Sequence, residues 1–250
     1  DYRVRGAMRR LLEETHRSMF DEGIMFSTLI PAEDWLKGYY ARSGYATCFR
    51  YGVLKKVINS YEQPVNNSVS YLKMSKIDLL KNPEKTIYPY FNEQMNRRGG
   101  CTQHTFDDFH AVLSDLVLSK GDIWTIYKGD VLSGLIFCLM QEKTLSVKEI
   151  LLSDEADLTV VLHQLAAFYQ AETMTCILPF AAEMHELGMA RIINVPACLE
   201  LYAAVYQGEE LCIHLQGNEA IGENNGYYTV SPGKMIQGYQ MRKEYVCVTI

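Results

Sequence analysis

A basic, glycine-centred stretch opens this chain and runs directly into an amphipathic helix: Asp1-Tyr-Arg-Val-Arg-Gly-Ala-Met-Arg-Arg10. No other segment restricts the fold as much. From Gly6 onward, Met8, Leu11, Leu12, Thr15 and Met19 recur at helical spacing on a mainly apolar face, with Arg9, Arg10, Glu13, Glu14 and Arg17 largely on the other side. Such a helix must lie with one side on a core. Its start presents backbone N–H groups that have no intrahelical acceptor, beside a glycine that permits close approach and several arginines. That combination suits an anion, above all a phosphate group. The same residues also fit a plain solvated helix start, so the neighbouring segments decide between the two.

Those neighbours alternate. Glu22 to Pro31 reads as a short apolar strand, Ala32 to Tyr45 as a short helix closed by Gly44, and Ala46 to Lys55 as a second strand. Loop, helix, strand, a helix ending Tyr40-Ala-Arg-Ser-Gly-Tyr45, and strand together resemble the C-terminal half of a GNAT-superfamily N-acetyltransferase domain. In that family the pattern Arg/Gln-x-x-Gly-x-Gly/Ala binds the pyrophosphate of acetyl-CoA. Here it stands as Arg3-Val-Arg-Gly6-Ala-Met8, with methionine replacing the final small residue. The departure fits the Eis-like (enhanced intracellular survival) subgroup, whose loop runs Arg-Arg-Gly-x-x-Arg. Val4 to Arg9 matches that run, with Val4 in place of an arginine.

Composition agrees with a globular enzyme of more than one domain: 250 residues, 48% apolar and 22% charged. No run of about 18 apolar residues exists, which excludes a membrane-spanning helix. The net charge of −6 argues against general nucleic-acid binding. Seven dispersed cysteines, several within apolar runs such as Leu135-Ile-Phe-Cys-Leu-Met140, read as reduced, buried thiols of a cytoplasmic protein. Neither Cys-x-x-Cys nor His-x-x-x-His occurs, so no metal site is expected.

Turn-forming residues within 56 to 74 suggest a linker leading to a strand near Val69 to Lys73, followed by a helix opening at Ser75 to Leu80 and a helix along Phe106 to Val117. A hairpin follows around Gly129-Asp130, then a strand at Val147 to Leu152, a helix at Ala156 to Ala171 and a strand at Thr173 to Leu178. This repeats the order of the first segment. Where a phosphate loop would lie, the chain reads Ser153-Asp-Glu-Ala-Asp157, whose carboxylates would repel a pyrophosphate and suit a helix start instead. From about residue 187 come a strand, Asn194 as an N-cap with Pro196 in the first turn, a helix, and strands at Leu211 to Gln216, Tyr227 to Val230 and Met241 to Ile250.

The resemblance therefore implies an α+β chain of tandem GNAT-like mixed-sheet domains followed by part of a sterol-carrier-like domain. Residues 1–57 form the C-terminal half of an acetyl-CoA-binding domain, 58–186 a second, degenerate copy, and 187–250 the N-terminal part of the third. It also implies a sequence cut at both ends. Acetyl-CoA is the implied co-substrate, with Arg3, Val4, Arg5, Gly6, Ala7, Met8, Arg9 and Glu33 as its contacts. Tyr40 is the implied general acid, because a phenol has a pKa close to that of a thiol leaving group. Glu33 and Asp34 fit a solvated helix start equally well. In Eis-like enzymes the base is the chain's own C-terminal carboxylate, a role that Ile250 does not inherit here. The six histidines are scattered outside any nucleophile motif, and His16 is expected to be partly exposed. The implied acceptor is a primary amine on a small polycation or a lysine side chain, which an acidic protein attracts. Assembly as a hexamer is implied as well. A non-catalytic acyl-CoA- or lipid-binding scaffold module is the other reading, favoured by Met8 and the acidic segment at 154–157.

Overall fold

The structure, a computed structural model, describes residues 6–58, 72–238 and, as backbone, 246–249. In chain order it contains α1 (Ala7–Asp21), β1 (Phe26–Leu29), α2 (Leu36–Ala41), β2 (Ala46–Val57), β3 (Leu72–Lys76), α3 (Glu84–Asn96), α4 (Phe106–Leu118), β4 (Asp122–Lys128), β5 (Val131–Gln141) and β6 (Thr144–Leu152). There follow α5 (Leu158–Tyr169), β7 (Thr173–Leu178), β8 (Met184–Ile192), α6 (Val195–Val205), β9 (Leu211–Gln216), β10 (Gly226–Ser231), β11 (Lys234–Gly238) and β12 (Val246–Thr249). The chain falls into two compact units, Asp1–Phe49 with Glu186–Ile250, and Arg50–His185. Among the described residues no helix is long and apolar enough to cross a membrane.

The unit Arg50–His185 is built on a mixed sheet in the order β2-β7-β6-β5-β4-β3. All its pairs are antiparallel except β6 with β7. A sheet covered on both faces needs strands that are apolar on both sides, and β5 supplies one. Leu135 and Phe137 pack with α3 and α4, while Ile136 and Cys138 pack with Val161, Leu162 and Leu165 of α5. Each such fully buried side chain contributes about 1.5–3 kcal/mol. The parallel pair stops at Val147↔Cys176, although β6 continues to Leu152. Opposite β5, Cys138 faces Val147 and Phe137 faces Glu149, so Lys148 is an extra, bulged residue where the parallel strands part.

In the other unit β1 pairs antiparallel with β8, and a small sheet runs β11-β10-β9-β12. Within that sheet only β12 is parallel to its neighbour among the described pairs. Asn194 caps α6 by accepting the Ala197 N–H at 3.1 Å, with Pro196 in the first turn as its sequence position requires.

Several expectations need correction. Ser75 and Lys76 end β3 rather than opening a helix. Asp78 accepts the Leu80 N–H and forms a short 3₁₀ turn, Asn82 reverses the chain at φ 48°, and α3 begins only at Glu84. The strand β11 was not anticipated, although Pro232-Gly233 turns the chain into it, with Gly233 at φ 71°. Not every cysteine is a buried thiol. Cys48 is exposed on β2, whereas burial pushes the Cys138 and Cys176 thiols up to about 11 and about 12. The apolar face of α1 is also turned from the expected one: Met8 and Leu11 are exposed, and the inward line is Leu12, His16 and Met19.

Candidate functional site

The start of α1 is open. Gly6 is its N-cap at φ 66° and ψ 14°, a left-handed conformation that glycine adopts without steric cost. Its carbonyl accepts the first helical bond from Arg10 N–H at 3.1 Å. Among the described residues no side chain caps the helix and its first turn holds no acid, so nothing described there offsets the partial positive charge of the leading N–H groups. Space is open where a Cβ at Gly6 would stand. Of the expected coenzyme contacts, Gly6, Ala7, Met8 and Arg9 gather here with exposed side chains. Arg3, Val4 and Arg5 lie outside the described residues. Arg9 is already engaged, its Nε 2.7 Å from Glu13 and its Nη2 3.8 Å from Glu219.

The segment Tyr40 to Tyr45 closes α2. The Gly44 N–H donates to the Ala41 carbonyl and the Tyr45 N–H to the Tyr40 carbonyl, with Gly44 left-handed at φ 79°. This double closure explains the glycine of the motif: a residue with a Cβ would be strained there. It also sends Tyr45 inward. Tyr45 is 5% exposed, and its hydroxyl lies 2.6 Å from Ser27 Oγ and 2.9 Å from His16 Nε2. Tyr40 is half-buried, its ring edge-on to Tyr39 and Tyr45 at 5.4 and 5.8 Å. Its hydroxyl has no hydrogen-bond partner among the described residues. Tyr39 is no core residue; it is half-buried beneath the Arg42 guanidinium at 5.6 Å. Glu33 is exposed ahead of α2 and its carbonyl accepts the Leu36 N–H.

His16 is not partly exposed, as its sequence position suggests, but 1% exposed. Burial, and then the nearby Arg191 cation, push its pKa down to about 4, so it is neutral at pH 7. It belongs to a polar interior. Ser27 of β1 pairs directly with Arg191 of β8, so the two side chains share one face of that ribbon, toward Tyr45 and His16. A cavity of about 180 Å³ opens there, lined by Glu13 and His16 of α1, Arg42 to Gly44, Arg191, and residues 217–220. The signals for it lay in the sequence unread: Leu12, His16 and Met19 at i, i+4 and i+7, and an arginine inside the strand Gly188-Met-Ala-Arg-Ile-Ile193.

The helix start in the second unit is closed. Asp154 accepts the Ala156 N–H, and Lys128 bridges Asp154 at 3.2 Å and Asp157 at 2.6 Å. A separate, apolar cavity of about 290 Å³ lies among Phe91, Met95, Val112, Leu116, Phe137 and Leu139, with Glu149 at its wall. Burial raises the Glu149 carboxyl above the usual range despite its Arg98 partner at 2.9 Å. Among the described residues no group of His, Cys, Asp or Glu is placed to hold a metal ion.

Parallel strands that part beside a bulge, with a helix between them, identify the architecture when set beside solved structures. The fold is that of the GCN5-related N-acetyltransferases. The chain is similar to such an acetyltransferase from Anabaena variabilis, with a TM-score of 0.69, 18% identity, and 96% of this chain and 65% of that one covered. The one from Kribbella flavida gives 0.71, 15%, 99% and 64%. Eis1 from Mycobacterium abscessus gives 0.68, 13%, 98% and 65%. The chain thus spans about 65% of the length of these structures. No protein-family model and no curated protein matches the sequence.

Proposed function

We propose that this chain carries the coenzyme-binding and acid half of an acetyl-CoA-dependent N-acetyltransferase of the Eis-like type. The observation that carries the reading is the uncapped, acid-free start of α1 at a left-handed Gly6, followed in order by β1, α2 with Tyr40, and β2. The residues present fit a pyrophosphate: donors are open, no Cβ intrudes at Gly6, and Arg9 and Arg10 add positive charge. Arg3, Val4 and Arg5 belong to the same loop by sequence, and Glu33 is read as an orienting contact. Acetyl-CoA, when bound, supplies the acetyl thioester that a primary amine attacks.

Tyr40 Oη holds the proton that a departing thiolate takes up. The Tyr40 hydroxyl has no hydrogen bond among the described residues, which supports an available proton. Tyr45 has the opposite task. Locked between Ser27 and His16, it fixes the end of α2 and so the position of Tyr40. The division at residues 57 and 186 into a coenzyme-binding half-domain, a degenerate copy and a sterol-carrier-like segment is part of this proposal, as is assembly into a hexamer. The acceptor is a small polycationic amine or a lysine side chain. The test is acetyl-CoA binding by calorimetry, then release of free CoA with a panel of polyamines. Binding and amine-dependent release support the reading; absence of both ends it.

The apolar cavity in the second unit favours one other reading, a non-catalytic acyl-CoA- or lipid-binding scaffold. An acyl-CoA that binds without CoA release, and whose affinity rises with acyl length, would select it.

A further inference from the structure

The polar cavity beside α1 holds three buried side-chain nitrogens with no hydrogen-bond partner among the described residues: His16 Nδ1, Arg191 Nε and Asn218 Nδ2. Their residues are 1%, 8% and 3% exposed. Native interiors leave only a few such groups per hundred residues; of the four among the described residues, His104 Nδ1 stands elsewhere and three line this single cavity. The Asn218 amide cannot be turned to remove its orphan. Its oxygen already accepts from Ile221 N–H at 3.0 Å and from Arg191 Nη2 at 3.1 Å, so the nitrogen is the free end. Arg191 also donates from Nη1 to the Ser43 carbonyl at 2.5 Å, and among the described residues it has no carboxylate in ion-pairing range. Its hydrogen bonds are to neutral oxygens, and the Glu13 carboxylate acts on it only from a distance, so the guanidinium has no charge partner in direct contact among the described residues. In the tautomer in which the Tyr45 hydroxyl donates to His16 Nε2, the neutral imidazole carries its proton on Nδ1 and offers a third donor; in the other tautomer Nδ1 is an acceptor, and only Arg191 and Asn218 donate.

We propose that this cavity binds a small oxyanion, a carboxylate or phosphate group, through Arg191 Nε–H, Asn218 Nδ2–H and His16 Nδ1–H. Two carboxylates, Glu13 and Glu219, share its lining, and both turn toward Arg9. Arg42 and Arg191 add to Arg9, so three arginines face two glutamates and the excess is positive. At about 180 Å³ the cavity lies below the roughly 300–1,000 Å³ of sites for drug-sized ligands, so it takes a single anionic group. It is not the pyrophosphate site proposed at α1. Its donors are side chains from β8, α1 and residues 217–220 rather than helix-start amides, and Arg9 alone borders both.

The test is the thermal midpoint of the whole chain near neutral pH, titrated with inorganic phosphate or acetate against chloride at constant ionic strength. Wild type and Ala7→Asp, which adds an acid only at the start of α1, are expected to respond alike to phosphate or to acetate. Whichever of the two acts names the source, a phosphate or a carboxylate. Asn218→Asp keeps both hydrogen bonds to its oxygen and places a carboxylate beside Arg191. It should fold at least as stably and bind the anion at least about tenfold more weakly. In wild type alone, the Arg191 Nε–H resonance should shift saturably during the same titration. A midpoint and a resonance indifferent to both anions would mean that water fills the cavity, and would overturn the proposal. A response lost in Ala7→Asp but kept in Asn218→Asp would overturn it too, by locating the anion at α1. Neither outcome depends on acetyl-CoA, so the coenzyme reading stands or falls separately.

Discussion

Two helices, α1 and α5, each follow a loop and precede a strand, yet their first turns are chemically opposite. At α1 the cap is a glycine, the first turn lacks acids, and among the described residues no side chain caps the leading amides. Before α5, Asp154 caps the backbone, Glu155 and Asp157 fill the turn, and Lys128 neutralises two of the three carboxylates. The same helix-dipole chemistry is turned outward in one unit and consumed internally in the other. Their interiors differ in the same sense. Around α5 the packing is Val161, Leu162 and Leu165 against apolar strands, whereas α1 turns His16 inward to meet Tyr45, Ser27 and Arg191. Stability alone favours the first arrangement. The second leaves buried polar nitrogens without partners among the described residues, a state that a ligand can relieve.

The largest expected effect comes from Tyr40→Phe, which tests whether only the open unit carries chemistry. It should lower kcat about 10²-fold or more in an acetyl-transfer assay and leave acetyl-CoA affinity unchanged, because the ring packing persists. An unchanged kcat would remove Tyr40 from the mechanism.

Acid should then act with opposite sign through His16 of the first unit and Glu149 of the second. His16 has a folded pKa of about 4 against 6.5 when unfolded, so between those values the unfolded chain binds a proton that the folded unit refuses. Its contribution is complete above pH 6.5 and is lost as the pH falls toward 4, a change on the order of 3 kcal/mol at most. Glu149 is the reverse case: burial raises its folded pKa, so protonation favours the folded second unit. Hydrogen exchange compared at about pH 7 and about pH 4.5 should show amides of α1 and β8 loosening first. In His16→Gln that difference should vanish.

A smaller effect converts one helix start into the other. Ala7→Asp places an acid in the first turn of α1. It should stabilise that helix by about 0.3–1 kcal/mol and weaken acetyl-CoA binding about tenfold, read by calorimetry. Tighter binding would contradict the anion reading of α1. The smallest is Asp154→Ala, which removes a cap and one Lys128 contact. It should cost about 1 kcal/mol in chemical denaturation and create no acetyl-CoA binding in the second unit.

Much of the fold was legible because its signals are local. Gly44 closes α2, Asn194 and Pro196 start α6, Gly129-Asp130 turns β4 into β5, and the apolar run 135–140 marks a strand buried on both faces. Each depends on contacts within about five residues, where residue type and spacing are sufficient. The failures were local as well. Asp78 and Asn82 diverted a segment that looked helical into a turn, and a histidine centred the buried stripe of α1 where apolar spacing pointed to Met8 and Leu11.

The candidate site was legible in part. Gly6, Ala7, Met8 and Arg9 stand together because they are consecutive, and Tyr40 is set by the helix that Gly44 ends. No periodicity could join His16, Ser27, Tyr45, Arg191 and Asn218, because they arrive from segments up to about two hundred residues apart.

By itself, then, the sequence determined much of the alternation of helices and strands, the caps and turns that bound them, and which helix start is free of acids. Those depend on short-range sterics, hydrogen bonding and charge. Tertiary structure alone decided that a unit made from both ends of the chain would turn a histidine, a tyrosine and an arginine inward around one cavity. The physical reason is that a buried polar group is tolerated only with partners, and those partners are brought within reach only when distant segments pack.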